Sequence, residues 1–285
     1  MTSTQSLTDL LTLPKGPVNL AAYATDATPG FEGGKSEGKA ALAGLDAELS
    51  ELQEKLFAEG RTGGVRRVLL VLQGMDTAGK GGVMRHAVAL FDPQGVHIKA
   101  FGKPTEEELA HDFLWRIRRE LPQGGRIGIF DRSHYEDVLI GRVRELADPE
   151  EIERRYDAIN EFEAELVEGD TTVLKCMLHI SADEQKQRLL ARLDDPTKHW
   201  KFNPADVDER QYWSGYQQAY EIALERTNTE VAPWLLVPSD RKWYRNWAIG
   251  QVLLETLQEL GLAWPEADFD VEEQRRRLLE EGFEG

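Results

Sequence analysis

Residues 68–82, VLLVLQGMDTAGKGG, constrain the fold more than any other stretch of the chain. An apolar run suited to a buried parallel strand leads into G-x-x-x-x-G-K, with Gly74, Gly79 and Lys80 in the motif positions. A helical pattern follows at once. Glycines let successive backbone N–H groups turn toward one anion, and the start of the next helix adds its positive end. Seven residues can match by chance, but the strand–loop–helix setting is the one the motif requires. The stretch predicts a phosphate-binding loop of Gly74, Ala78, Gly79, Lys80, Gly81 and Gly82, with Lys80 reaching the outer phosphates.

Further strand and helix patterns alternate behind it. RRVLLVLQ, VHIKAF, RIGIF, TTVLKCMLHI and WLLVPS read as five strands. Helical spacing fills Lys80–Phe91, Thr105–Leu121, Ser133–Arg144, Pro149–Glu168, Ala182–Leu193, Pro204–Glu225 and Lys242–Leu260, and an earlier helix spans Ala41–Glu59. Strands separated by helices predict an α/β fold: a parallel five-stranded sheet covered on both faces, three layers in all. Residues 1–40, which include TPGFEGGKSEGKA, read as an extended N-terminal arm. Residues 41–262 read as the main domain, with a helical lid at 188–215, and 263–285 as a tail with a charged helix.

The loop departs from its pattern at Gly81, where a Ser or Thr hydroxyl usually helps hold Mg²⁺. Other oxygen ligands are then needed. Asp76 lies inside the loop, and a carboxylate beside phosphate oxygens is repelled unless a cation or proton stands between them. Asp76 is therefore expected to hold Mg²⁺ (or Mn²⁺) directly or through water, or to orient the attacking phosphate; a surface Asp pointing away is the alternative. Asp131 ends the apolar RIGIF run, where the second metal-binding carboxylate of such folds falls. Arg132 follows at the C-terminal edge of the sheet, where open α/β folds bind ligands. Ser133 and Glu136 have capping-box spacing; alternatively Glu136 and Asp137 face the acceptor.

The net charge of −17 argues against a nucleic-acid partner. No apolar run reaches membrane-spanning length, and the start MTSTQSLTDLL does not look like a secretory signal. The single cysteine, Cys176, sits in an apolar run and fits a reducing cytoplasm. Lys99–Arg144 carries nine Lys and Arg against eight Asp and Glu, far less acidic than the rest.

GMDTAGKGG, FGKPTEEELAHDFLWR, FDRSHYEDVL, RLLARLDDPTKHWKFNP and PSDRKWYRNW occur in one order between about Lys39 and Glu259. Together they resemble the polyphosphate kinase 2 family. The SHYEDVL form is similar to the subgroup that phosphorylates both AMP and ADP, although that subgroup often has Asn where this chain has Asp131. The resemblance implies a P-loop kinase fold with a helical lid. It implies reversible, Mg²⁺-dependent transfer of the terminal phosphoryl group of inorganic polyphosphate to AMP or ADP, giving ADP or ATP. It also implies a homo-oligomer, a dimer or tetramer. Carried over by position, Asp76, Lys80, Asp131, Arg132 and Arg192 form the reaction centre, with Asp76 and Asp131 on the metal.

A polyanion needs a line of cations. Lys99, Lys103, Arg116, Arg119, Arg126 and Arg142, all in the less acidic window, are the candidates. In the expected helix Thr105–Leu121, Leu109, Phe113 and Ile117 share one face, and Asp112, Arg116 and Arg119 another. A solvated charged face explains any single arginine there equally well. Arg192, Lys198, His199, Trp200, Lys201 and Phe202 interleave basic and aromatic groups, as a lid closing over phosphates and a base would, with Arg188, Lys198, Trp200 and Lys201 as the candidate lid contacts; hinge packing is the alternative for Trp200 and Phe202. A conventional ATP-dependent nucleoside monophosphate or other small-molecule kinase is the rival reading. A P-loop switch is a third, but the chain has no NKxD base-reading motif and SDRK at Ser239–Lys242 only faintly resembles one.

Overall fold

The computed structural model describes residues 5–281. Five strands form one parallel sheet: β1 (Arg67–Gln73), β2 (Val96–Ala100), β3 (Ile127–Asp131), β4 (Thr171–His179) and β5 (Trp234–Pro238). Their order is β2-β3-β1-β4-β5. From β1 the chain goes to the edge as β2, returns as β3 between the two, and then crosses to the other side for β4 and β5. The central strand is flanked on both sides, and its Val68–Leu72 are fully buried. Register pairs Leu72 with Asp131, so the sheet itself sets the end of β3 beside the phosphate loop.

The helices are α1 (Leu7–Leu11), α2 (Lys35–Gly44), α3 (Asp46–Arg61), α4 (Lys80–His86), α5 (Glu106–Leu109), α6 (Trp115–Arg118), α7 (Ile140–Val143), α8 (Pro149–Glu168), α9 (Ala182–Leu193), α10 (Ala205–Glu209), α11 (Trp213–Arg226), α12 (Lys242–Glu259) and α13 (Val271–Glu280). One group of helices, α1 to α4, gathers on α12, while α7 packs on α8 and α11. Among the described residues no helix is long and apolar enough to cross a membrane.

Two helices begin where expected, each for a local reason. Pro149 opens α8 at its first turn. Ser181 caps α9, its hydroxyl accepting from Glu184 N at 3.1 Å. Other expected helices break. Thr105–Leu121 becomes α5 and α6, because a Thr105–Glu108 capping box closes one turn and Asp112 Oδ1 accepts from Leu114 N at 3.0 Å. Its expected apolar face splits too: Phe113 and Ile117 are buried, whereas Leu109 is 68% exposed. Ser133–Arg144 becomes a 3₁₀ turn (His134–Asp137) and α7. The expected helix Ala41–Glu59 starts earlier, as α2, and breaks at Leu45 before α3.

The N-terminal arm is not a free extension. Leu7, Leu11, Leu13 and Leu20 are buried in the core. Thr12 bridges Leu235 antiparallel, and Leu13 N donates to Trp234 O at 2.8 Å, so the arm covers the edge of β5. Glu255 of α12 accepts from Leu7 N at 3.1 Å and Thr8 N at 2.9 Å, supplying α1 with the acceptors its first turn lacks. Phe31 stacks edge-on to Trp243 and Trp247 at 5.3 and 4.6 Å. The tail helix α13 buries none of its residues. Cys176 is buried in β4, and burial pushes its thiol up to about 12, so it is an inert core group.

Candidate active site

The loop after β1 takes its shape from backbone angles that favour glycine. Gly74 and Gly79 have φ of +151° and +114°, and Thr77, without that freedom, sits at +63°. Lys80 opens α4 and folds back, donating to Gly74 O at 2.8 Å. Burial and Arg132 push its ammonium below the ordinary value, and Asp131, Asp76 and Glu136 partly offset this.

Arg132 follows β3 in the left-handed region, φ +65°, which costs about 1–2 kcal/mol for a residue with a side chain. Its N donates to Leu72 O at 3.1 Å, and its Nη2 to Asp76 Oδ1 at 2.8 Å. Burial opposes the guanidinium charge, but Glu136, Asp76 and Asp131 outweigh it and hold Arg132 above its ordinary value.

The next three residues anchor this strained turn. Ser133 Oγ accepts from Tyr135 N at 3.2 Å and donates to the Gln73 amide oxygen at 2.9 Å, while the Gln73 amide nitrogen donates to Glu136 Oε1 at 3.0 Å; Ser133 thus caps a 3₁₀ turn and forms no capping box with Glu136. The Tyr135 hydroxyl donates to Glu163 Oε1 at 2.7 Å, and His134 Nε2 lies 3.3 Å from the same oxygen. Lys175 Nζ donates to Glu163 Oε2 and to Thr227 O, both at 2.6 Å. All four side chains are buried, so the bonds they make to one another stand in for water.

Two clefts meet at this point. The first, about 900 Å³, is floored by the loop and bordered by Phe101 and Asp131. Seven cations line it, Lys80, Arg85, Arg132, Arg192, Lys198, Lys201 and Lys242, against the carboxylates Asp76, Asp131 and Asp206. The second, about 480 Å³, has Glu136 and Lys103 beside an apolar and aromatic wall of Met75, Leu139, Ile140, Tyr216 and Tyr220. Asp76, Arg132, Asn203 and Asp206 belong to both. Burial raises the pKa of Glu136, and Asp76 and Asp137 reinforce this against Arg132 and Lys80. Burial and Asp76 likewise raise Asp206.

Asp76 and Asp131 line the same cleft. Two carboxylates completed by phosphate oxygens are a donor set that suits Mg²⁺. Among the described residues no three His, Cys, Asp or Glu side chains gather into a cage, so any cation here would be held jointly with a phosphate ligand.

Several expected site residues stand elsewhere. Arg116 is 6% exposed and donates to Gly102 O at 3.0 Å, with Asp137 at 3.5 Å and Glu108 at 3.9 Å; it is a buried brace, not a polymer contact. Asp137 faces Arg116 and Arg155 rather than an acceptor. Arg119 stacks on Trp115 at 4.6 Å and lies 3.8 Å from Glu107. Arg142 pairs with Glu153 at 3.3 Å and Lys99 with Glu120 at 2.6 Å, and Arg126 borders a small separate hollow. Arg188 is buried, with its donors directed at Thr77 O, Ala78 O, Ser239 O and Asp240 O, so it fastens the loop and lines neither cleft. Trp200 is 79% exposed on the lid, outside both clefts. Of the suspected basic track, only Lys103 lines a cleft.

Apart from Arg132, which follows β3, the cations of the first cleft come from α4, the lid and the start of α12. Arg85 escaped sequence reasoning, as did Tyr216 and Tyr220 of the second cleft; Lys242 lies in DRKWYRNW, a stretch open to lining the nucleotide pocket or capping the next helix, and it lines the cation-lined cleft. The i, i+4 spacing of the two tyrosines on one helix was the available signal.

Residues 32–261 match the family model described as Polyphosphate kinase 2. The "AMP/ADP-polyphosphate phosphotransferase" of Meiothermus ruber is 47% identical over 255 residues, covering 90% of this chain and 94% of that protein. The "ADP-polyphosphate phosphotransferase" of Rhodopseudomonas palustris is 40% identical over 275 residues, covering 92% of each. The crystal structure of Polyphosphate Kinase 2 from Arthrobacter aurescens TC1 superposes with a TM-score of 0.94 at 55% identity, covering 97% of this chain and 98% of that one.

Proposed function

The chain belongs to the polyphosphate kinase 2 family, and from that premise we propose that it transfers the terminal phosphoryl group of inorganic polyphosphate to both AMP and ADP. The observation that carries this reading is the pair of clefts with one shared wall. The cation-lined cleft suits a flexible polyanion. The cleft lined by Tyr216, Tyr220 and Ile140 suits a nucleobase, with Arg132 at the end where its phosphate would lie.

In the reaction, an anionic oxygen of the nucleotide's last phosphate attacks the terminal phosphorus of the polymer. The bridging P–O bond breaks, and its electron pair stays on the new chain end, one unit shorter. The nucleophile is already ionised, so no general base is required. Catalysis then rests on positioning and charge neutralisation. Lys80 and Arg192 meet the polymer, and Arg132 meets the group in transit. Asp76 and Asp131 would hold Mg²⁺, or Mn²⁺, which neutralises phosphate charge when bound. Since each step is a phosphate exchange between similar anhydrides, the reaction runs in both directions. A homo-oligomer is part of the same proposal, supported by the exposed Trp264, Phe269, Leu278 and Leu279 of the tail.

The test is incubation with polyphosphate and Mg²⁺ plus AMP, and separately ADP, with and without chelator. ATP from both acceptors, lost on chelation, is the expected result. Phosphorylation of ADP alone removes the dual acceptor. No transfer from polyphosphate, with transfer from ATP to another acceptor, overturns the reading.

A further inference from the structure

PSDRKWYRNW supplies one residue that the reaction above does not use. Arg245, in the first turns of α12, is 3% exposed. Its Nη1 donates to Ala78 O at 2.9 Å, and its Nη2 and Nε donate to Asn246 Oδ1 at 2.8 and 3.2 Å. Among the described residues no carboxylate pairs with it. Glu184, the acid whose field reaches it, is already bonded to Arg188 at 2.7 Å. Burial and the neighbouring Arg188 oppose its charge and push its pKa down to about 9.

The guanidinium lies against the inner side of the phosphate loop. A Cβ on Gly79 would stand 1.7 Å from Nη1, and one on Gly82 2.4 Å from Nη2. Gly79 needs glycine for its φ of +114° in any case. Gly82 has no such need: it is helical, and its crowding comes chiefly from Arg245. Its missing side chain reserves room for the guanidinium. Gly79 and Gly82 also face the cation-lined cleft, so the arginine and a bound phosphate would occupy opposite sides of one layer of backbone. A buried charge without a partner is costly, and it persists where a ligand completes it.

We infer that Arg245 is a positioning residue for the polymer, a counter-charge set behind the loop that holds Ala78–Gly82 in anion-binding shape and answers the phosphate charge through the backbone. The inference rests on the proposed polyphosphate site.

The experiment compares wild type, Arg245→Met, Arg245→Lys, Gly82→Ala and the double variant G82A/R245M. It reads the melting midpoint of the free protein, the Kd for tripolyphosphate without nucleotide, and the KM values. R245M is expected to melt at or above wild type, because Arg188 still donates to Ala78 O. Its Kd for tripolyphosphate and its KM for polyphosphate are expected to rise about tenfold or more, with KM for ADP little changed, and R245K should recover most of the loss. G82A should weaken tripolyphosphate by displacing the guanidinium and should add nothing in the double variant. A lower melting midpoint in R245M with unchanged tripolyphosphate affinity would make Arg245 a mere strut and overturn the inference. Should R245M not fold, G82A decides alone: unchanged affinity overturns the inference, weakened affinity supports it. Wild type that binds no tripolyphosphate overturns the polyphosphate site itself.

Discussion

Arg132 Nη2 stands 2.8 Å from Asp76 Oδ1, and this pair forms the wall between the two clefts. A cation of the loop after β3 is thereby locked to an anion of the loop after β1, at the place where a phosphoryl group would cross. Lysine keeps the charge but loses the planar fork. Arg132→Lys is expected to lower kcat by about 10²–10³, the range for removing a transition-state donor, with smaller changes in either KM. Steady-state kinetics check this, and a loss below threefold would take Arg132 out of the reaction centre.

Arg119 and Arg142, engaged by carboxylates outside both clefts, should matter little to the polymer. Arg119→Ala and Arg142→Ala are expected to leave KM for polyphosphate within about twofold, while Arg85→Ala and Lys201→Ala raise it several-fold and flatten its salt dependence. Titrating polyphosphate at two ionic strengths separates the groups. Equal effects from all four would return the polymer to the Lys99–Arg144 segment.

Glu136 gives a signed pH effect. Burial raises its folded pKa, so between the unfolded carboxylate value near 4.3 and the folded value the native state binds more protons than the unfolded one. Stability from this group is full below the unfolded pKa and is lost as pH rises through the folded pKa. Glu136→Gln is expected to remove that slope and to stabilise the free protein at neutral pH while impairing nucleotide phosphorylation. Denaturant melts of both proteins from pH 4 to 8 give the difference curve; a wild type that gains on the variant with rising pH would reverse the assignment.

The arm belongs to the core. Leu11 is 3% exposed, so Leu11→Ala is expected to destabilise by about 2–5 kcal/mol. Activity well below the melting midpoint should stay near wild type, since neither cleft includes the arm. Stability loss under 1 kcal/mol would mean the arm rests on the domain without support from its leucines.

Local signals read well from the sequence and distant ones did not. The five apolar runs became the strands, and α8 and α9 begin where expected, with Pro149 in the first turn of one and Ser181 capping the other, because such signals act within a turn. The Thr105–Leu121 periodicity could not reveal that Asp112 would cap the backbone in mid-run. The charge count over Lys99–Arg144 failed for a related reason: Arg118 meets Glu165 and Arg144 meets Glu209, partners far along the chain. Asp76, Lys80, Asp131, Arg132 and Arg192 lie around one cleft because register and loop geometry put them there. The arm's glycines and prolines read as slack chain, since its docking depends on tryptophans over 200 residues downstream.

The covered edge of β5 bears on what the sheet cannot become. A bare outer strand invites a second molecule to continue the hydrogen-bond ladder, and uncontrolled polymers begin that way. Thr12 and Leu13 already occupy that margin. The opposite margin, β2, carries Lys99 paired with Glu120, charges that would have to be stripped of water before another strand could dock, and His97 lies beside the same carboxylate. Both ends of the ladder are thus guarded, one by the N-terminal arm and one by a charged clasp, so neither margin offers a bare template to a second sheet.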